Sequence, residues 1–152
     1  MHDSRHDTIK HIKRVRQILE DVARKIKIRG FGHDSSKLSE PEKSTFDEYD
    51  LKLREVEYGS KEYKESLMGM GKGLKHHYEN NRHHPEHFSE GIQGMNLIDL
   101  VEMMADWKAS TERVKNGNLS ESIEKNQERF GYGEEIKRIM INTAKECFEE
   151  EG

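Results

Sequence analysis

Nine histidines stand in this chain, and seven of them fall in three places: His11, His33 and the segment from His76 to His87. A neutral imidazole nitrogen offers a lone pair near neutral pH, which makes histidine the commonest side-chain metal ligand, and a neighbouring carboxylate completes a mixed nitrogen and oxygen site. His33-Asp34 supplies one donor of each kind. A single histidine is more often a surface residue or a satisfied polar group, but seven clustered in this way point to a bound cation. On a helical wheel His11 lies beside Val15, Ile18 and Val22, on an apolar side where an imidazole needs a partner, and a hydrogen bond would satisfy it as well as a metal. Asp99, Glu102 and Asp106 share a second face, within about 60° of one another, opposite Leu97, Leu100, Val101, Met104 and Trp107. Like charges at this spacing repel mildly, and a cation or bulk water would relieve them.

The elements that must position these residues are all helical. Ile9, Ile12, Val15, Ile18, Leu19, Val22 and Ile26 recur at steps of three and four, which predicts a helix from Thr8 to Ile28 that stops near Gly30. A charged second helix is expected from Pro41-Glu42 to Glu57, with Phe46, Tyr49, Leu53 and Val56 on one side. A third runs from Ser60 to about Tyr78 and is weakened by Gly69, Gly71 and Gly73, each costing about 1 kcal/mol against Ala, so that its middle can bend. Pro85 pushes the preceding residue out of the helical region, which puts His83 and His84 on a loop. Further helices are expected from Asn96 to Lys115, from a Ser120 cap to Arg129, and from Gly133 to Glu149. The last buries Ile136, Ile139, Met140, Ala144, Cys147 and Phe148. No alternating strand pattern interrupts them, so the fold class is all-α.

Composition bounds the rest. The chain has 152 residues, 32% hydrophobic and 37% charged, with a formal charge of −4. That length suits one domain over residues 1–152, and the lack of a basic excess disfavours nucleic acid as a main partner. A single cysteine, Cys147, excludes an internal disulfide. The polar start Met1-His2-Asp3-Ser4 and the want of a long apolar run predict a cytoplasmic protein without a membrane role.

With these residues in place, the sequence resembles the HD-domain superfamily, whose pattern is a His on one helix, an adjacent His-Asp after the next break and an Asp on a later helix. His11, His33-Asp34 and Asp106 stand in that order, and Met104-Ala105-Asp106 is similar to the run that carries the last ligand in many members. His33-Asp34-Ser35-Ser36-Lys37 resembles the His-Asp-x-x-Lys signature of the cyclic-dinucleotide phosphodiesterase branch, and His83-His84-Pro85-Glu86 its His-His-Glu element. The Gly-Tyr-Pro element of those enzymes is absent, which argues against hydrolysis of cyclic di-GMP. A group of phage and bacterial HD-like proteins with paired-His, Asn, paired-His segments is more similar still, through His76-His77 and Asn81-Arg82-His83-His84. The likeness covers roughly Thr8 to Thr111.

The resemblance implies an HD-like bundle of about five to seven helices. It assigns His11, His33, Asp34 and Asp106 to one metal. His77, His83 and His84 become candidates for a second, with His76 an alternative to His77. A straight helix would separate His77 from His84 by about 10 Å, too far to share one ion. The cofactor expected is one or two divalent ions, Mn, Fe, Co, Ni or Zn, with Mg an option. Such a metal acidifies water toward a pKa of about 7, so no Ser or Cys nucleophile is needed. Asp34 and Lys37 are the expected catalytic residues, and Lys37, Arg82 and Lys108 the expected contacts to a small phosphorylated substrate, a nucleotide for example, while Glu102 could orient a ligand. The implied activity is phosphate-ester hydrolysis. A di-iron oxygenase and a non-catalytic, metal-stabilised binding module are the alternatives, and a homodimer is compatible with any of them.

Overall fold

The computed structural model describes residues 3–57, 59–113 and 115–148. It is all-α: six α-helices and three short 3-10 helices account for the regular structure among the described residues. None of the helices is long and apolar enough to cross a membrane. The chain divides into two units, Met1–His33 and Asp34–Gly152.

The first unit is a single helix, α1, Arg5–Gly32. It runs through Gly30 instead of stopping there, because neither Gly30 nor Gly32 takes the left-handed conformation that would close it. A lone helix cannot bury its own stripe, and Ile9, Ile12 and Leu19 are 51%, 59% and 62% exposed. His11 is exposed too, so the cost expected for its imidazole on an apolar side does not arise within this unit.

The second unit begins with a 3-10 turn, Ser35–Leu38, followed by α2, Glu42–Arg54, and α3, Lys61–Asn80. Ser60 caps α3 by accepting from the Tyr63 amide at 3.1 Å. Gly71 takes φ 43° and ψ −110° and kinks α3, the bend that its glycines suggest. Gly69 and Gly73, by contrast, make room for α2. A Cβ on Gly73 would lie 2.2 Å from Thr45 Oγ1, and one on Gly69 would lie 2.5 Å from the Tyr49 hydroxyl. The two helices therefore approach closely along that face, which brings the first turn of α2 to the last turns of α3.

Helix α4, Leu97–Thr111, is shorter than expected at its C-terminal end. It starts at a full capping box: Asn96 Oδ1 accepts from the Ile98 and Asp99 amides, and Asp99 Oδ2 accepts from the Asn96 amide at 3.0 Å. Helix α5, Leu119–Phe130, is capped by Asn118, not Ser120, and closes on Gly131 at φ 67°. Helix α6, Glu134–Cys147, follows, and the Glu149 end expected for it lies outside the described residues.

Met103 and Met104 of α4, Leu119 and Ile123 of α5, and Tyr132, Met140 and Ala144 around α6 form the hydrophobic core. Each large apolar side chain buried there contributes about 1.5–3 kcal/mol. The Tyr132 hydroxyl donates to the Ile123 carbonyl, so this buried phenol is satisfied. Two details differ from the wheel. Met103 belongs to the core and Leu97 is exposed, while on α6 Ile139 and Cys147 face solvent. The C-terminal third thus backs α4 and leaves the acidic side of that helix to the loop after α3, where Arg82 meets Asp99 and His83 meets Glu102.

Candidate metal centre

Asp34 follows α1 at φ 54° and ψ 12°, a left-handed conformation that Asp tolerates because its short polar side chain bonds locally. Its carboxylate is shared. Lys37 Nζ lies 2.6 Å from Oδ2, while Oδ1 lies 3.5 Å from Nε2 of both His77 and His83.

His77 sits in the last turn of α3 and is 2% exposed. Its Nδ1 is 2.8 Å from Glu42 Oε2, in the first turn of α2, and its Nε2 is 2.9 Å from Nε2 of His84. His83 is 1% exposed, with Nδ1 3.3 Å from Glu102 Oε1 and Nε2 3.9 Å from Asp106 Oδ2, both acids on α4. One ligand atom from each of Asp34, His77, His83 and His84 lies within 4.8 Å of all the others.

Local sequence explains how His83 and His84 return to His77. Helix α3 ends at Asn80, and Asn81 turns extended at φ −124° and ψ 104°. The Asn81 amide donates to the His77 carbonyl and to Ser36 Oγ, both at 2.8 Å, and so covers the helix end. Pro85 keeps His84 extended. The next residues are pinned by His87 Nδ1, 2.9 Å from the Tyr78 carbonyl oxygen, and by Arg129 on Glu86 at 2.8 Å. This reversal corrects the separation of about 10 Å that a straight helix gives for His77 and His84. Their Nε2 atoms are 2.9 Å apart, close enough to serve a single ion.

Burial, then the positive charge of Lys37, pushes the His77 pKa down; burial, then His83 and His77, pushes His84 down to about 3. Both rings are therefore neutral at neutral pH, with lone pairs to give. Burial alone would raise the Glu42 carboxyl, but hydrogen bonds from His76, Ser36 and His77 outweigh it and hold the group below the usual range. Four carboxyl groups, Asp34, Glu42, Glu102 and Asp106, thus surround the imidazoles, against the ammonium of Lys37. Carboxylate oxygens beside buried imidazole nitrogens make a group that could hold a metal ion.

Three other expected residues, His76, Arg82 and Lys108, have partners of their own. His76 Nδ1 binds Glu42 Oε1 at 2.7 Å, on the outer side of that carboxylate. Arg82 forks onto Asp99 at 3.2 and 3.0 Å and covers the Phe88 ring, so both charges are committed to structure. Lys108 pairs with Glu112 at 2.9 Å. His11 and His33 belong to the first unit, His11 on the exposed surface of α1 and His33 at its C-terminal cap. Glu42 is a site residue that sequence reasoning missed. It stands in a charged helix, and its partners His76 and His77 lie 34 and 35 residues away, beyond any local periodicity.

A cavity of about 560 Å³ opens beside the cluster. Lys37, His77, His84 and Asp106 border it at one part, and Phe46, Leu67, Met70 and Leu74 supply an apolar wall. A family model described as a family of unknown function, DUF5662, matches residues 1–151. The chain belongs to that family. No curated protein and no solved structure matches it. In this DUF5662 protein the cavity is large enough for a small organic ligand, and its side chains put polar chemistry at one part and apolar contact along another.

Proposed function

We propose that this protein is a metal-dependent phosphohydrolase of HD type that acts on a nucleotide or another small phosphate ester. The observation that carries the reading is the convergence on Asp34 Oδ1: two buried imidazoles approach it at 3.5 Å through Nε2, and His84 adds a third nitrogen 2.9 Å from that of His77. Asp34, His77, His83 and His84 would hold the ion, with Asp106 Oδ2 3.9 Å from His83 Nε2. When bound, a divalent cation supplies a Lewis acid that lowers the pKa of water toward about 7.

The chain's own residues do the rest. Lys37 fixes the outer oxygen of Asp34 and borders the cavity, where its charge is placed to stabilise phosphate oxygens as negative charge grows on them. Phe46, Leu67 and Met70 exclude water from the organic part of the ester and bury it. The products are an alcohol and a free phosphate, with water as the only co-reactant.

Elemental analysis of the purified chain, joined to a screen of phosphorylated metabolites with added Mn²⁺, Mg²⁺, Co²⁺ and Ni²⁺, tests this. The expected result is at least one divalent ion per chain and metal-dependent phosphate release that His84→Ala abolishes. Lys37→Ala is expected to keep its metal and lose about 100-fold in turnover. Absence of bound metal, or metal without any phosphate release, would overturn the reading. Iron with oxygen uptake would replace it by the oxygenase.

A further inference from the structure

Glu42 is sealed from solvent, does not line the cavity, and accepts from three donors: His76 Nδ1 at 2.7 Å on Oε1, and His77 Nδ1 at 2.8 Å and Ser36 Oγ at 3.0 Å on Oε2. A second group competes for the same ring atom. The Asn81 side-chain nitrogen lies 3.0 Å from His77 Nδ1, and that nitrogen can only donate. The two neighbours ask opposite things of the ring: Glu42 needs a proton on Nδ1, whereas Asn81 needs a lone pair there.

We propose that Glu42 is a positioning residue that selects the tautomer of His77, keeping the proton on Nδ1 and the Nε2 lone pair turned toward Asp34 and His84. The use of that lone pair rests on the metal-site reading; the selection itself does not. A buried carboxylate deprived of a donor costs more than an amide that keeps other acceptors, and Asn81 already has Ser36 Oγ and the His77 carbonyl, both at 2.8 Å. Glu42 therefore wins the contest. Without it Asn81 would donate to Nδ1 and the proton would move to Nε2, where it blocks ligation. Carboxylates in this position both orient a ligating imidazole and raise its basicity.

The test reads the ring directly in the metal-free, full-length chain. Imidazole nitrogen shifts, assigned against His77→Gln, are expected to show His77 protonated at Nδ1 in the wild type and at Nε2 in Glu42→Met. Glu42→Gln is expected to keep the wild-type tautomer, because its amide oxygen still accepts from His77. Zinc titration should then give binding weaker by about 10- to 100-fold in Glu42→Met and by less in Glu42→Gln. A wild-type ring protonated at Nε2, or an unchanged tautomer in Glu42→Met, overturns the proposal. If Glu42→Met loses its helical circular dichroism, the wild-type ring and Glu42→Gln decide by the same criteria. Wild-type protein that takes up no zinc while showing the expected tautomers overturns the metal reading and leaves the selection by Glu42 standing.

Discussion

Asp99 and Asp106 share a face of α4, yet their surroundings divide them. Asp99 is fully buried, closes the capping box and receives the Arg82 fork, so its oxygens are spent on holding α4 to the loop after α3. Asp106 borders the cavity, 3.9 Å from His83 Nε2. Asp99→Ala is expected to lose about 2–3 kcal/mol of stability, from the lost cap and from a guanidinium left without its carboxylate, while metal uptake per chain stays unchanged. Asp106→Ala should do the reverse, with metal-free stability within about 1 kcal/mol of wild type and zinc affinity lower by 10-fold or more. Urea unfolding and equilibrium dialysis of the two variants check the pair; a stability loss in Asp106→Ala equal to that in Asp99→Ala would make both acids structural. The wheel puts the two acids on one face and cannot separate them, because what distinguishes them is Arg82, seventeen residues before Asp99 in the chain. His77, His83 and His84 were legible as a group because imidazoles clustered at that density are hard to explain otherwise. Which nitrogen points where was not legible, since that depends on Glu42 and Glu102 across helix contacts.

At the scale of elements, the glycines of α3 show how a helix-propensity rule is incomplete in meaning. Helix propensity counts Gly69 and Gly73 as a cost of about 1 kcal/mol each against Ala, but they are also where α2 seats Tyr49 and Thr45. A Cβ on Gly73 would meet Thr45 Oγ1 at 2.2 Å and Thr45 Cβ at 2.5 Å, so α2 would have to back away. Glu42 sits one turn before Thr45 and would withdraw from His77 with it. Gly73→Ala is therefore expected to destabilise the protein by about 1–3 kcal/mol, against the gain of about 1 kcal/mol that helix propensity alone predicts, and to weaken zinc binding. Adding Thr45→Ala should recover part of both losses, a coupling of about 0.5–3 kcal/mol in a double-mutant cycle. A stabilised Gly73→Ala would show that the helices have slack. Helix existence was readable throughout from apolar spacing, whereas ends were less so. Asn118 displaces Ser120 as a cap, and α1 continues past Gly30, because a cap depends on backbone angles that residue type only biases.

Across the whole molecule, charge is divided unevenly. Residues 1–33 hold nine Lys and Arg against four Asp and Glu, and residues 34–152 hold 17 against 26. The acidic second unit favours the approach of cations, and under the proposed function a bound cation would offset its repulsion of an anionic substrate. The same unit has its apolar core on one side of α4, with α5 and α6, and its histidines on the other, on α3 and the loop that follows. A cation held by Asp34, His77, His83 and His84 would tie three separate chain segments to each other beside α4, and it would bind only the folded state. Linkage then predicts that zinc at about 100 times its dissociation constant stabilises the protein by about 2.7 kcal/mol, which for this length raises the melting temperature by about 5–10 °C. A chelator should reverse the shift. His83→Ala should show little of it, since the variant retains the core while losing a ligand that is sealed at the centre of the cluster. Calorimetry with and without zinc measures all three, and an equal rise in wild type and His83→Ala would place the stabilising metal somewhere other than this cluster.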